Sequence, residues 1–297
     1  MNVYSAFSGS DIGYLILKEL GIKTDNYYSS EIDTGAIQVS KNNFKDIIHL
    51  GDITRIDLKE LKHINLMTAG SPCQGFSRNG KGLNFDDPRS ALFFYWNKQR
   101  EKLSPDYFFL ENVHMKKEWE DIITDTLQVE PIKTNGGDYS AQKRPRTFWT
   151  NIPIIEHEKK DISILDILED NPQPVAEITQ DESSIYEFLE DGTLKVRNAT
   201  KQGYLIAEEG DTINLSFPKS TTRRGRVAKR KFNTLDRQCN QAIFLNGKVR
   251  KPSIIELERS QGYPDNFTAG VTLSQRKSII GNGWNKEQVK ALHLGLL

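Results

Sequence analysis

Ile64-Asn65-Leu66-Met67-Thr68-Ala69-Gly70-Ser71-Pro72-Cys73-Gln74-Gly75-Phe76-Ser77 is the stretch on which the reading of this 297-residue chain turns. Its apolar half, Ile64 to Ala69, ends in a Gly/Pro-framed turn, the pattern of a buried strand that delivers a loop to the edge of a sheet. Open α/β sheets place ligand and catalytic groups at such strand ends. A thiol there is a candidate nucleophile, because thiolates attack carbon well and loop amides lower their pKa. The alternative is a small cysteine that merely packs.

The same rhythm extends outward on both sides. Val3 to Phe7 predicts a strand, and Asp11 to Leu20 a helix with Ile12, Leu15, Ile16 and Leu20 on one face and Gly21 as its stop. Tyr27 to Ser30, Ile47 to Leu50, Tyr107 to Leu110 and Thr147 to Thr150 predict further strands. Thr34 to Phe44 and Ser90 to Lys102 predict helices. Repeated β-then-α order implies an α/β fold, a mostly parallel sheet with helices on both faces.

After Pro153 the rhythm stops. Acidic residues predominate from Glu156 to Asp191, and Pro172 and Pro174 mark a boundary. Residues from about 190 to 247 carry short β-like pieces, Gly203 to Ala207 and Gln241 to Leu245, which predict a smaller, irregular β module. Helical pattern returns at Ser253 to Gln261 and at Lys286 to Leu296. The division expected is a first domain of residues 1–165, completed by about 270–297, and a second domain of 166–269.

Composition narrows the classes. The 40 basic and 40 acidic residues balance, but Lys219 to Lys231 (KSTTRRGRVAKRK) holds seven basic residues and no acidic one. Such a segment suggests a polyanion contact, most simply nucleic acid, or else a solvated loop face. Two cysteines, Cys73 and Cys239, make neither a disulfide framework nor a zinc site, and the five histidines show no ligand spacing. No metal is expected. No apolar run approaches the ~20 residues of a membrane span, and no signal-peptide pattern is present. The expectation is a cytoplasmic protein, not secreted.

Chemistry-bearing residues cluster at the strand ends. In Phe7-Ser8-Gly9-Ser10-Asp11-Ile12-Gly13 the glycines let backbone approach a ligand ahead of a helix N-terminus. Glu31, 22 residues beyond Gly9, stands where such folds hold ribose hydroxyls, and Asp52 is placed to take an adenine amino group. Together they point to an adenosine-containing cofactor. Glu111 emerges from an apolar strand, where desolvation would raise its pKa and let it sit protonated beside a heterocycle nitrogen. Arg144 and Arg146 alternate, which would send both guanidinium groups to one side.

The order of these elements resembles the cytosine-C5 DNA methyltransferases through nearly the whole catalytic part of the chain. Phe7 and Gly9 fit that family's cofactor turn, and Pro72-Cys73-Gln74 its nucleophile motif. Gly82 to Phe94 is similar to the segment that follows. Glu111-Asn112-Val113 and Gln142-x-Arg144-x-Arg146 match two further motifs. Arg250-Lys251, Glu256, Arg259 and Gly262-Tyr263-Pro264 match the penultimate motif, and Gly281-Asn282 the last. Asp11-Ile12 stands where many members have a second glycine pair. The Asn112 to Gln142 stretch is short, and Gly283-Trp284 replaces a small-then-aliphatic pair.

The resemblance implies a Rossmann-like, S-adenosylmethionine-dependent fold with a target-recognition domain. Phe7, Gly9, Glu31, Ile32, Asp52, Ile53, Pro72, Leu92 and Asn282 would hold the cofactor, released as S-adenosylhomocysteine. Cys73 would add to C6 of a flipped cytosine, with Glu111 on N3, Arg146 on O2 and Arg144 nearby. Gln74 and Ser77, in the Gln74 to Lys81 loop, would close over the base. Arg223, Arg224, Arg226, Lys229 and Arg230 would contact double-stranded DNA, and Cys239 would be structural. The protein would act as a monomer.

Competing readings are a tRNA cytosine methyltransferase of the same family and a non-catalytic DNA-binding homologue. The sizeable recognition region argues against the first, and the presence of both Cys73 and Glu111 against the second. A nicotinamide dehydrogenase lacks its glycine fingerprint here, and an amino-methyltransferase its Asp-Pro-Pro-Tyr motif.

Overall fold

A computed structural model describes residues 1–71, 91–170, 172, 175–179 and 182–297. Two compact units emerge, each taken in turn. The first comprises Met1–Asn135, Pro145–Glu158 and Lys286–Leu297; the second comprises Gly136–Arg144 and Lys159–Asn285. The divide falls near residue 158, and the segment that returns to the first unit starts at Lys286.

The first unit opens β1 (Asn2–Ala6), α1 (Ile12–Glu19), β2 (Asn26–Ser30), α2 (Thr34–Asn43) and β3 (Ile47–His49). It continues with β4 (Leu66–Gly70), α3 (Ala91–Leu103), β5 (Tyr107–Val113), α4 (Lys117–Leu127), β6 (Ile132–Asn135) and β7 (Pro145–Thr150). The sheet order is β3-β2-β1-β4-β5-β7-β6. Strands β1 to β5 pair parallel, while β7 runs antiparallel between β5 and β6. The chain runs outward from β1 to β3, then from β4 to β5 on the other side. The strand order therefore reverses between β1 and β4, where ligands of such sheets bind.

Period-2 alternation gives the sheet two buried faces. Tyr4, Ala6, Met67, Ala69, Phe108 and Leu110 join Phe93 and Trp96 of α3 and Ile123 and Leu127 of α4 in one core cluster. On the other face Phe109 meets His293, with ring centroids 4.5 Å apart.

The second unit holds two antiparallel sheets. One is β10-β9-β8, from β8 (Tyr186–Phe188), β9 (Leu194–Arg197) and β10 (Tyr204–Ala207). The other is β12-β11-β13-β14, from β11 (Thr212–Asn214), β12 (Val227–Ala228), β13 (Gln241–Leu245) and β14 (Lys248–Arg250). Ile185, Leu194, Val196, Ile213, Ala242 and Phe244 belong to its core. Two helices follow, α5 (Ile254–Ser260) and α6 (Leu273–Asn282), each started by a capping box. The chain then returns to the first unit with α7 (Lys286–Leu292), where Lys286 and Lys290 both reach Glu19 of α1 at 2.6 Å.

Candidate active site and cofactor turn

The turn after β1 is built from left-handed backbone. Phe7, Gly9 and Asp11 have φ of 52°, 58° and 59°. Gly9 is the unstrained member, and a Cβ built on it meets nothing within 4 Å, so its outer side faces open space. Its N–H donates to Glu31 Oε2 at 2.9 Å, while Glu31 Oε1 accepts from the N–H groups of Ile32 (2.7 Å) and Asp33 (2.8 Å). Three backbone donors thus fix this carboxylate at the end of β2. A carboxylate offers about four lone-pair sites, which leaves room for a further hydroxyl donor.

Asp52 caps a short 3-10 turn, accepting from Thr54 N–H at 2.9 Å and Thr54 Oγ1 at 2.8 Å. Those bonds lower its pKa, keeping it an anionic acceptor. It lies three residues past β3 rather than on the strand. Ile32 is 73% exposed. Ile53 is buried in the core, so its side chain is not at the surface; its carbonyl accepts from Gln99 Nε2 at 2.9 Å. Leu92, partly buried, packs on the same core from the first turn of α3.

Beneath the turn sits a group that the sequence motif does not announce. Asp11 is fully buried, and its Oδ2 accepts from Ser29 Oγ (3.0 Å) and Ser40 Oγ (2.6 Å). Its Oδ1 has no hydrogen-bond partner among the described residues. Burial pushes its pKa up to about 7, against the lowering effect of those serines.

The chemistry strand is β5. Glu111 is not at its end but inside it, paired in register with Gly70 of β4 and Phe148 of β7. Val113 pairs with Arg146, so Glu111, two residues earlier, shares that face. Arg146 Nε lies 2.6 Å from Glu111 Oε1, both side chains being about nine-tenths buried. The Nε–H does not point along that line, so this is charge proximity without a directed hydrogen bond. Arg146 Nη1 donates to the Pro145 carbonyl at 2.8 Å. Asn112, buried, donates from Nδ2 to Ser71 Oγ at 2.9 Å. Sequence reading named Asn112 only as part of a motif; nothing in its spacing signalled the bond to Ser71. Pro72, Cys73, Gln74 and Ser77 lie outside the described residues.

Arg144 departs from expectation. Alternation holds only within a strand, and β7 begins after it, at Pro145. The Arg144 Nη2 instead donates to the carbonyls of Gly281 (3.1 Å), Asn282 (3.4 Å) and Gly283 (2.8 Å), at the C-terminus of α6 in the second unit. These bonds cap the helix end with a cation. Gln142 is likewise buried, with Oε1 accepting from Leu235 N–H at 3.3 Å. Asn282 is exposed at the end of α6.

The penultimate-motif residues brace the second unit. Arg250 forms a two-pronged pair with fully buried Glu256 (2.8 and 2.7 Å), and Tyr263 donates its hydroxyl to the Trp284 carbonyl at 2.8 Å. Cys239 is buried, and burial pushes its thiol up to about 12, in keeping with a structural role. Arg223, Arg224, Arg226 and Arg230 are all exposed. Lys229 is exposed too, but its ammonium is held by Asp211 (2.8 Å) and Glu208 (3.1 Å).

Among the described residues no helix is long and apolar enough to cross a membrane, and no group of three or more His, Cys, Asp or Glu could hold a metal ion.

A family described as C-5 cytosine-specific DNA methylase matches residues 1–293. The type II methyltransferase M1.ScrFI of Lactococcus lactis subsp. cremoris is 29% identical over 95% of this chain and 73% of its own length. The type II methyltransferase M.NgoBI of Neisseria gonorrhoeae is 29% identical over 98% of this chain and 90% of its own. The solved structure of the Entamoeba histolytica methyltransferase EhMeth covers 100% of this chain and 97% of that one, with a TM-score of 0.71 at 19% identity. That likeness concerns the fold.

Proposed function

Because the chain belongs to the C-5 cytosine-specific DNA methylases, a family dependent on S-adenosylmethionine, we propose that Cys73, Glu111 and Arg146 carry out methyl transfer to cytosine C5 in double-stranded DNA. The observation that carries the assignment is the Glu111–Arg146 pair, 2.6 Å apart on neighbouring strands, with Glu111 in register with Gly70, three residues before Cys73.

Cytosine C5 is a weak nucleophile, and addition of the Cys73 thiolate to C6 turns the ring into an enamine that can attack from C5. Glu111 delivers a proton to N3 as charge develops there. Arg146 binds O2 through Nη2, which has no hydrogen-bond partner among the described residues. When bound, S-adenosylmethionine would supply the methyl group from its sulfonium, which would become a neutral thioether. Loss of the C5 proton to a base then restores the C5–C6 double bond and expels Cys73 as thiolate, while N3 returns its proton to Glu111. The target base must leave the stack to expose C6.

The residues at the turn suit that cofactor. Glu31 is fixed to accept from ribose hydroxyls, ionised Asp52 to accept from an adenine amino group, and the open side of Gly9 admits the backbone-hugging chain between them. Phe7, Ile32 and Leu92 would give apolar contact. Pro72 would join them at the cofactor, and the loop residues Gln74 and Ser77 would close over the base. The protein would work as a monomer in the cytoplasm.

The test is methyl transfer from labelled S-adenosylmethionine to unmethylated duplex DNA and, in parallel, to tRNA, followed by bisulfite sequencing. Protected cytosines in duplex DNA are expected. A duplex carrying 5-fluorocytosine cannot lose its C5 substituent as a proton, so it should trap a covalent adduct that Cys73→Ser does not form. Methylation of tRNA alone, or an adduct formed by Cys73→Ser, would overturn the assignment.

A further inference from the structure

The basic run of the second unit separates into cations that are spent and cations that are not. Lys229 is held by Asp211 and Glu208, and Lys231 donates to the carbonyls of Gly137 (2.8 Å) and Ile162 (2.9 Å) while facing Asp161. Arg223, Arg224, Arg226 and Arg230 pair with no carboxylate among the described residues.

Arg223 differs from its neighbours. Its guanidinium lies over the ring of Phe217, 4.9 Å from the centroid, and Phe217 is 53% exposed. A large exposed aromatic ring in the middle of unpaired positive charge calls for a partner that is anionic yet has apolar faces. The loop is also built to hold that pair still. The Pro218 carbonyl accepts from Ser184 N–H at 2.9 Å, and Ser220 Oγ accepts from Arg223 N–H at 3.0 Å. Arg197 bridges from below, donating to the carbonyls of Ser220 and Ser184. Side chain and backbone of Arg223 are therefore both restrained.

Gly225 fixes the other arginines outward. A Cβ there would lie 2.4 Å from Ile185 Cγ2 and from Val196 Cγ1, so the backbone is pressed onto the core between Arg224 and Arg226. Those two guanidinium groups have only their own flexible stems to place them. Phosphate contact tolerates such freedom; bidentate reading of a base edge does not.

We propose that Phe217 and Arg223 form a composite reader of base edges in the major groove. Arg223 takes the O6/N7 edge of a guanine, and the Phe217 ring contacts the neighbouring thymine methyl. Arg224, Arg226 and Arg230 bind phosphates without regard to sequence. This assignment rests on the DNA-methyltransferase reading and names which residues of the recognition region set its specificity.

The experiment is methylation of a random-sequence duplex library by the full chain, read by bisulfite sequencing, with affinity for the same library measured by anisotropy across salt concentrations. Arg223→Lys keeps the charge but loses the fork, and Phe217→Ala loses the ring. Each should weaken base preference about tenfold at one or two positions of the wild-type motif and leave the salt slope unchanged. Arg224→Gln and Arg226→Gln should keep the motif and each reduce the slope by about one. Phe217→Leu, which conserves bulk, reads the same position if the alanine variant melts early. Motifs within twofold of wild type at every position for both Arg223→Lys and Phe217→Ala, or a uniform loss across all sequences, would overturn the proposal. Absence of any wild-type mark would instead refute the methyltransferase reading.

Discussion

Asn112 donates from Nδ2 to Ser71 Oγ at 2.9 Å, and both residues are buried. Asn112 Oδ1 also accepts from the N–H of Val113 at 2.8 Å, so the amide is fixed at both ends. One side chain of β5 thereby holds the chain two residues before Cys73.

The first prediction follows from that bond. Asn112→Ala or Ser71→Ala should lower kcat at least tenfold with cofactor affinity nearly unchanged, since a misplaced nucleophile costs rate rather than binding. Because the two residues act through one contact, the double variant should be no slower than the worse single one. Steady-state kinetics beside S-adenosylhomocysteine titration decide it; kcat unchanged in both single variants would refute the role.

Glu31 gathers three N–H donors from two segments, and among the described residues no other acceptor reaches them. Glu31→Ala should weaken S-adenosylhomocysteine binding tenfold or more by calorimetry. Glu31→Gln, which keeps an acceptor of the same length, should lose less. Equal affinity in all three proteins would show that the acid braces the turn and touches no cofactor.

The two arginines of the Gln-x-Arg-x-Arg motif should fail differently. Arg146→Ala should lower the kcat of its folded fraction by about a hundredfold, the scale of losing one preorganised oxyanion donor, and it should also lower the melting temperature because buried Glu111 loses its cation. Arg144→Ala uncaps α6 by removing a charged donor from buried carbonyls, worth roughly 2 kcal/mol or more. It should melt several degrees early, yet its folded fraction should retain most of the wild-type kcat. Reversed phenotypes would count against the assignment of both.

Asp11 makes stability depend on pH. Its folded pKa near 7 exceeds the unfolded value of 3.8, so the folded state holds the proton more tightly. The stability this gives is full below pH ~4 and is lost as pH rises through 7, by an upper bound of about 4 kcal/mol. His293, with its folded pKa lowered by burial to about 4, works in the opposite direction: its contribution is lost as pH falls from 6.5 towards 4. Denaturant titrations of wild type and Asp11→Asn isolate the first effect. The variant should gain on wild type steadily from pH 4 to pH 7.5; a constant difference would remove Asp11 as the cause.

Gly225→Ala places a methyl 2.4 Å from two β-branched side chains, Ile185 and Val196, which have little rotamer freedom to yield. Overpacking of this kind costs ~1–3 kcal/mol. Amide exchange should rise in β8 and β9 while β1 to β5 stay protected; unchanged exchange in β8 and β9 would mean that the backbone gives way easily there.

Much of the first unit was readable because buried parallel strands are short apolar runs with punctuation. β6 escaped because a half-buried edge strand of four residues leaves little pattern. α4 carries Trp119, Ile123 and Leu127 at helical spacing, yet its surrounding charges hid a legible stripe. The direction of β7 could not be read at all, since alternation is the same in parallel and antiparallel strands. α6 had only Leu273, Ile279 and Ile280 as apolar markers, although the Thr272/Gln275 capping box was there to be seen. At the site, the place of Glu31 at the end of β2 was legible from the punctuation, and that of Asp52 to within the three residues that follow β3. The contacts of Arg144 and Lys229 were not, because their partners, Gly281 to Gly283 and Asp211, are distant in sequence.

The three-segment construction of the first unit has a consequence for its assembly. Glu19 of α1 and Lys286 of α7 lie 267 residues apart, and all of the second unit is synthesised between them. On a ribosome, α1 waits for its partner until the recognition module has already emerged and can fold. Helix α7 therefore acts as a latch that completes the first unit once the second exists. Refolding from denaturant, where α7 is present from the start, should reach the α1–α7 contact by a route that synthesis does not permit.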